Sequence, residues 1–400
     1  MNTLRDSVPH EVCLAFAVFV FAAIGIVSAL AQTTPGVTQD GILIGSCSAL
    51  DGPANFLGKQ TVLGASAYLH MINDEGGVHG RKIRLLAFDD GYDPDKAPAC
   101  FRRMIKEGVF ALGFFVGTPT AAKYVPLAEA EKVPVVGLFT GAEMLYEPLK
   151  HYVINVRASY YDETREQIDQ LWEVRGVRKI AVLYQDDAFG KAVLDGVKLA
   201  LQKFHADPVA LGTFPRNTLN VEAGLKTVLQ AAPQAVIVVG PYAPVAEIAK
   251  QMHAAGARPL LLTVSFVGTE QFIKQAGPDA EGTIITQVVP PYDRTDLRTI
   301  ALYRQILDKF YPDTPPSFVS LEGFVDAMVL VEGLKRAGRD LTREKLVAAI
   351  ESIHNMDVGL GSKLVLDYGP KEHKGFNGVY DTVVRGGTTV VFDDWKSLGQ

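Results

Sequence analysis

The chain carries little of what nucleic-acid and metal binding require. Its 400 residues have a formal net charge of −6 and no long run of lysine and arginine. A duplex binder needs clustered basic side chains to neutralise phosphates, so nucleic acid is not expected as a partner. Only three cysteines are present, and no cysteine and histidine group has the spacing of metal ligands. The closest approach, residues 371–374, is predicted to be a solvated loop, and neither a metal nor a cofactor is predicted.

Motifs of catalysis and nucleotide binding are also missing. No Gly-x-Ser-x-Gly turn is present, no Gly-x-Gly-x-x-Gly follows a predicted strand, and no nucleophile with a neighbouring base stands out. The stretch from Gly52 to Lys59 has the outline of a phosphate-binding loop. However, Gly52 and Gly58 are one residue too far apart, and Gln60 replaces the hydroxyl that would hold the metal. The chain is therefore predicted not to be an enzyme.

The amino terminus has the pattern of a secretion signal. An uncharged apolar run, residues 12–27, precedes Ala29-Leu30-Ala31, which fits the small-x-small rule for cleavage before Gln32. The region before the run departs from the usual basic start, because Arg5 is its only strong base. A cleavable signal peptide over residues 1–31, with export to the periplasm, is favoured over an uncleaved anchor or a buried helix.

Two cysteines, Cys47 and Cys100, remain after the predicted cleavage. In an oxidising compartment they could form a disulfide. Both lie in segments predicted to face a core, where cysteine is a common buried side chain. Two buried free thiols are the favoured expectation.

Apolar runs of strand length alternate with helical segments from Gly41 onward. A first helix is indicated by Val62, Ala65 and Leu69, which recur at steps of three and four, and Gly76-Gly77 are expected to end it. The predicted strands are residues 42–50, 82–88, 109–116, 133–140, 179–184, 209–214, 235–240 and 260–264. Near-continuous apolar runs are typical of parallel sheets covered on both faces. Because the pattern starts again near residue 179, we predict an α/β fold with two doubly wound, Rossmann-like lobes.

The last part of the chain is mainly helical. Helices are predicted at residues 297–310, 318–337 and 342–353, followed by two strands around Arg385-Gly386-Gly387. Helices without strands of their own cannot close a separate core, so they are expected to return to an earlier lobe. The predicted first lobe is residues 39–157 and 288–375, and the predicted second lobe is residues 158–287 and 376–400.

The ends of the predicted strands are the candidate binding site, since ligands of open α/β sheets bind at the carboxyl ends of the strands. Thr118 is predicted to cap a helix, to contact a ligand, or both. Thr140 and Glu143 fit a capping box, which leaves the Gly141 backbone as the candidate contact. In the second half, Phe189, Tyr242 and Phe266 lie near strand ends and suit the lining of a small organic ligand, with Tyr242 and Phe189 favoured.

Three stretches resemble a known family. They are GGVHGRKIRLLAFDDGYDPDKA at 76–97, YVINVRASYYDET at 152–164 and KIAVLYQDDAFGKAVLDGVK at 179–198. They are similar to type I periplasmic solute-binding proteins of ABC transporters, in the branched-chain amino acid (leucine/isoleucine/valine)-binding family. The resemblance extends from Gly41 to about Tyr380. It implies two lobes joined by a three-strand hinge, which close on a small solute and deliver it to an inner-membrane ABC permease. A monomer is expected, and a ligand-sensing module of a signalling system is the alternative.

The residues that hold an amino acid in this family are altered here. In leucine-binding members a serine and a threonine hold the ligand carboxylate, an acid holds its ammonium, and a tyrosine precedes the glycine at the second-lobe entrance. The matching positions are Gly117, Gly141 or its neighbour, Ser265 and Phe189. A buried ammonium without a charged partner is unfavourable, so among carboxylates, aromatic acids and amino-acid-like solutes we expect a carboxylate or a neutral polar aromatic ligand and not an ordinary α-amino acid. The candidate ligand-binding residues are Phe56, Gly117, Thr118, Thr120, Thr140, Gly141, Tyr161, Phe189, Tyr242 and Ser265.

Overall fold

The computed structural model describes residues 34–398 as two mostly parallel sheets with helices on their faces. The predicted signal peptide, residues 1–31, lies outside the described residues. The strands are β1 Gly41–Ser48, β2 Lys82–Asp89, β3 Ala111–Gly113, β4 Val135–Val136, β5 Val153–Ile154, β6 Ile180–Gln185, β7 Leu211–Phe214, β8 Ala235–Val239, β9 Leu260–Thr263, β10 Ile284–Gln287, β11 Met356–Asp357, β12 Val365–Leu366, β13 Tyr380–Arg385 and β14 Thr388–Val391. The helices are α1 Asn55–Asp74, α2 Ala97–Lys106, α3 Thr118–Ala130, α4 Tyr160–Asp169, α5 Ala188–Gln202, α6 Glu222–Gln230, α7 Tyr242–Ala254, α8 Thr269–Ala276, α9 Arg298–Phe310, α10 Phe318–Ala337 and α11 Arg343–Glu351.

The first sheet has the order β2-β1-β3-β4-β5, and all its neighbouring strands are parallel. The second has the order β14-β13-β10-β9-β8-β6-β7, in which β13 is antiparallel to both β10 and β14 and the other neighbouring strands are parallel. Strands β3 and β4 are shorter than their predicted runs. The φ of 64° at Phe114 bends the chain out of the ladder, and the two runs meet again at a single bridge between Val116 and Phe139. The predicted α/β class with two doubly wound lobes is confirmed.

The carboxyl-terminal helices pack on the first sheet's side of the molecule. Helix α10 crosses α1 so closely that only glycine fits at two positions. A Cβ on Gly64 would lie 1.8 Å from the Ser320 carbonyl oxygen, and one on Gly323 would lie 2.2 Å from that of Thr61. Ser317 caps the start of α10, since its side chain accepts a hydrogen bond from the Ser320 amide, and the helix ends before Gly338. No helix within residues 34–398 is both long and apolar enough to cross a bilayer.

Three segments connect the two sheets. The chain crosses from β5 into α4, returns from β10 towards α9, and crosses again from β12 to β13. The first and third segments are hydrogen-bonded to each other. The Gly375 amide donates to the Asn155 carbonyl at 2.9 Å, and the Phe376 amide donates to the Val156 carbonyl at 2.9 Å. The lobes are therefore joined by a narrow, multiply connected hinge region.

Two expectations were wrong. Cys47 and Cys100 form a disulfide with their Cα atoms 6.1 Å apart, instead of remaining free thiols. Both side chains belong to one apolar cluster in which α2 packs against β1, a contact between distant parts of the chain that the sequence pattern does not reveal. The segment at residues 371–374 is not fully solvated either. His373 is buried, and its Nε2 lies 3.0 Å from a carboxylate oxygen of Glu351 at the end of α11.

Candidate functional site

The carboxyl ends of the two parallel sheets meet through five buried rings, here named the cleft cluster: Tyr92, Phe139, Tyr160, Phe189 and Phe266. The first two follow β2 and β4 of the first sheet, and the last two follow β6 and β9 of the second. The Phe266 centroid lies 4.4 Å from that of Phe189, 5.4 Å from that of Phe139 and 6.0 Å from that of Tyr92. This is the edge at which open α/β sheets bind ligands. Phe266 therefore contacts both lobes in the middle of the cleft.

Short turns after the strands position these rings. Phe266 lies on the 3-10 turn Ser265–Val267, which ends at Gly268 with a φ of 74°. Phe189 is the second residue of α5. The Oδ1 of Asp187 caps this helix by accepting hydrogen bonds from the amides of Phe189, at 2.9 Å, and Gly190, at 3.2 Å. Both rings are thus fixed by the backbone of the turn that carries them.

The start of α3 is covered by Tyr92. Gly117 has a φ of 99°, and a Cβ there would lie 2.1 Å from the Tyr92 ring. The Thr120 hydroxyl donates to the Val116 carbonyl at 2.7 Å. Thr118 does not cap this helix, because its hydroxyl lies 2.6 Å from that of Thr140. These candidates are close together, but their polar groups face each other and the backbone.

The predicted capping box at Thr140 and Glu143 was wrong. The 3-10 turn Glu143–Leu145 has no side-chain cap, because the Thr140 hydroxyl is bonded to that of Thr118 instead. The Gly141 carbonyl accepts a hydrogen bond from the Tyr160 amide at 2.7 Å. Gly141 therefore contacts the start of α4, and a Cβ at this position would lie 2.9 Å from the Tyr160 nitrogen.

Two buried polar groups of the cleft are incompletely satisfied within residues 34–398. The side-chain oxygen of Gln185 has no hydrogen-bond partner, while its amide nitrogen donates to the Tyr92 hydroxyl at 3.2 Å. The Tyr160 hydroxyl lies beside Thr140 without a hydrogen bond of normal geometry, and burial raises its pKa. Such groups in native proteins call for an explanation, and a bound solute or water supplies one.

The mouth of the cleft is closed by two further contacts between lobes. The Tyr242 ring lies edge-on to Phe56, with centroids 6.0 Å apart, and its hydroxyl accepts a hydrogen bond from the Phe56 amide at 3.4 Å. Arg216, in the loop after β7, donates to the Tyr92 carbonyl at 2.6 Å. Phe56 and Tyr242 thus meet across the cleft. Tyr161 is half-buried, lies against Gly196 of α5, and is not part of this cluster.

Beneath the cleft cluster lies a buried charge network centred on Arg157. This side chain belongs to the first crossing segment and is 2% exposed. Its guanidinium lies 2.8 Å from a carboxylate oxygen of Glu163 on α4 and 3.1 Å from one of Glu322 on α10, and it also donates to the Ser265 hydroxyl. The Ser265 amide donates to Glu163 at 2.8 Å. Arg157 therefore connects α4 to α10 through the hinge region.

Burial dominates the electrostatics of this network. It raises the pKa of Glu322 to about 7 against the opposing charge of Arg157, and it raises the pKa of Asp326 well above its ordinary value, with a further increase from Glu322. The pKa of Glu163 is also raised by burial, although Arg157 opposes this. The carboxyl groups of Glu163, Glu322 and Asp326 are therefore either paired with Arg157 or protonated. The Ser265 hydroxyl is already hydrogen-bonded.

Sequence reasoning missed several of the residues that meet here. Arg157 and Tyr160 lie within the stretch that resembles the family's first hinge, and Tyr92 lies within the first-lobe stretch. Phe266 was not missed, because its position after a predicted strand marked it as an aromatic near the cleft. Their role depends on which strand ends face each other across the cleft, and this is a property of the three-dimensional arrangement.

A family model described as periplasmic binding protein matches residues 41–388. The chain belongs to the periplasmic binding protein family. This solute-binding protein is 24% identical over 319 residues to Leu/Ile/Val-binding protein homolog 3 of Brucella melitensis, which covers 78% of this chain and 83% of the relative. Its relatives are solute-binding proteins, and it is not an enzyme.

Solved structures share its type I fold. A possible leucine/isoleucine/valine-binding protein from Rhodopirellula baltica SH 1 matches with 32% identity and a TM-score of 0.86, covering 92% of this chain and 99% of that one. A branched-chain amino acid ABC transporter protein from Thermus thermophilus with bound valine has 20% identity and a TM-score of 0.81, covering 90% and 97%. The second likeness shows the fold alone.

Proposed function

We propose that this solute-binding protein is the periplasmic receptor of an ABC importer. It takes one small organic solute into the cleft between its lobes and presents it, as a monomer, to an inner-membrane permease. The predicted signal peptide and the family support the compartment. The lobes are those drawn from the sequence, residues 39–157 with 288–375 and residues 158–287 with 376–400.

The observation that carries this proposal is the meeting of two sheet edges at a hinged cleft. Phe266 contacts rings of both lobes, and three chain segments join the sheets nearby. Two lobes connected in this way can open and close about a ligand without rearranging either core. The rings supply the apolar lining that small-molecule sites use.

The solute is a carboxylate or a neutral polar aromatic compound, and not an ordinary α-amino acid. At the position where leucine-binding relatives are expected to hold an ammonium, Ser265 is bonded to Glu163. The Glu163 carboxylate is itself paired with Arg157 at 2.8 Å. An ammonium placed here would meet the guanidinium as well as the acid, and this weakens its binding.

A thermal-shift screen tests the proposal. Purified protein, unfolded and refolded to remove any carried-over solute, is exposed to amino acids, aromatic and aliphatic acids, dicarboxylates, amides and urea. A ligand at a hundred times its dissociation constant adds about 2.7 kcal/mol to stability. Stabilisation by an acid or amide without a response to leucine supports the proposal. If leucine raises the unfolding temperature most, the proposed ligand class is contradicted. If no compound of the panel raises the unfolding temperature, the receptor role is contradicted.

A variant then places the solute. Tyr242→Ala removes a ring that closes the cleft mouth and should weaken binding of the best compound at least tenfold. Tyr311→Ala is the control, because Tyr311 is half-buried against His70 on the first lobe, away from the cleft. Equal effects of the two substitutions would contradict binding between the lobes.

A further inference from the structure

A cavity of about 410 Å³ opens at the mouth of the cleft, outside the cleft cluster. One wall is formed by Pro53 in the first-lobe loop before α1 and by Asn55 at the start of α1. The other walls belong to the second lobe and include Leu219, Tyr242 at the start of α7, and Gln271 on α8. Both lobes thus contribute to it, and its volume lies in the range of sites for small organic ligands.

The polar groups of this mouth cavity are neutral. Among its described lining residues there is no lysine, arginine, histidine, aspartate or glutamate, whereas four side-chain amides are present: Asn55, Asn217, Gln271 and Gln275. Gln271 and Gln275 are four residues apart on α8 and therefore share a face. Four amides without a neighbouring charge form an uncharged hydrogen-bonding surface.

Three of these amides are unused. Within residues 34–398, the side chains of Asn217, Gln271 and Gln275 make no hydrogen bond to the protein. Each free amide offers two N–H donors and an acceptor oxygen. A neutral amide can pair with them in both directions and a carbonyl compound can accept from their N–H groups, whereas a carboxylate would lose hydration without gaining a cation.

The remaining surface of the cavity is apolar. Leu219 is 53% exposed, which is high for a leucine, and the Tyr242 ring and Pro53 lie around the same space. The deeper cleft is filled by Phe266, whose ring is fully buried between the two lobes. An apolar part of a solute in the mouth cavity would cover Leu219. Binding would then be favoured because the apolar surfaces of the solute and of Leu219 are both removed from water.

We infer that the mouth cavity binds the uncharged end of the solute, and that the solute class is a neutral amide or carbonyl compound with an apolar body of about one ring. This inference rests on the proposed function and narrows its ligand class. Gln271 and Gln275 pair with the solute's amide or carbonyl group, while Leu219 and Tyr242 cover its body.

Matched probes test it by calorimetric titration. The probes are benzamide, phenylacetamide and 3-phenylpropanamide, each compared with the carboxylate of the same skeleton. At least one amide should bind ten or more times tighter than its acid. Acids that bind as tightly as the amides would overturn the inference and leave the receptor role standing. If neither the amides nor the acids bind, the inference is overturned. The receptor role is overturned as well only if no compound of the whole thermal-shift panel raises the unfolding temperature.

Variants locate the effect. Gln271→Glu adds a carboxylate to the cavity and Gln275→Leu removes a hydrogen-bonding group, so each should weaken the best amide at least tenfold. Gln202→Glu is the matched control, because Gln202 is exposed at the end of α5 and does not line the cavity. The unfolding temperature of each variant shows whether it is folded. Unchanged amide affinity in both folded cavity variants would overturn the inference.

Discussion

Replacing Arg157 by methionine tests whether the buried charge network holds the hinge region together. The guanidinium makes two ion pairs, at 2.8 Å to Glu163 and 3.1 Å to Glu322, with both carboxylates buried. Hydrogen bonds to charged groups contribute about 1.5–3 kcal/mol each, so two contribute about 3–6 kcal/mol. Removing one partner of a buried ion pair lowers stability by about 3–5 kcal/mol. We therefore expect Arg157→Met to lower the free energy of unfolding by about 3–5 kcal/mol at pH 8.

The loss should be smaller at pH 5.5. Burial already raises the pKa of Glu163 and Glu322, and Arg157 opposes that rise. Without the guanidinium both pKa values rise further. That of Glu322 already stands at about 7, so in the variant its carboxyl group is protonated at pH 5.5 and leaves no unpaired charge. At pH 8 the same carboxyl group must either ionise in an apolar site or take up a proton against the solution pH.

Urea unfolding followed by the fluorescence of Trp172 and Trp395 measures this difference. Arg165→Met is the control. Arg165 also forms an ion pair at 2.8 Å, with Asp162, but its side chain is 59% exposed. Its partner Asp162 is 6% exposed but keeps a second ion pair, with Lys374 at 3.0 Å, so loss of the largely exposed Arg165 should lower stability by only about 0.2–1 kcal/mol. Equal losses for the two variants, or an Arg157→Met loss that does not change between pH 5.5 and pH 8, would refute the reasoning.

Three other predictions concern stability. Cys100→Ser removes a disulfide whose cysteines are 53 residues apart, and the chain-entropy relation predicts that this lowers the unfolding free energy by about 4 kcal/mol. Equal unfolding free energies for the oxidised and the reduced wild-type protein would contradict this prediction. Gly323→Val should lower the unfolding free energy by about 1–3 kcal/mol or more, because its Cβ would strike the α1 backbone. Gly369→Ala is the control and should be nearly neutral in the same urea-unfolding assay, because a Cβ there has no atom within 4 Å. The raised pKa of Asp326 makes the folded state bind a proton that the unfolded chain releases near pH 4, so stability falls as pH rises above 4. Asp326→Asn should therefore reduce the change in unfolding temperature between pH 5 and pH 8. An unchanged pH dependence in this variant would show that other groups cause it.

Local signals predicted much of the fold. Helix α10 has the bounds predicted from the sequence, Phe318 to Ala337, and α1 ends at Asp74, just before the predicted stop at Gly76-Gly77. These predictions used strong periodicity, a serine cap and glycines with positive φ. Each of these signals acts within a few residues, so it can be recognised in a single sequence. The final pair of strands around Arg385-Gly386-Gly387 was predictable for the same reason.

Contacts between distant segments were not predictable in this way. Strand β10 is four residues long, and its place beside β9 depends on the rest of the sheet. The disulfide required α2 to lie against β1. In the site, the strand-end rule found Phe189 and Tyr242, but Arg157 acquires partners only when α4 and α10 come together. The mouth cavity likewise exists only because loops from both lobes meet.

The most direct test of the central claim is the crystal structure of the protein with the compound that most raises its unfolding temperature. We predict one solute molecule between the lobes, in contact with Tyr242 and with at least one residue of the first-lobe loop before α1. A stabilising compound bound on the outer surface of one lobe, with the cleft unchanged, would contradict the account.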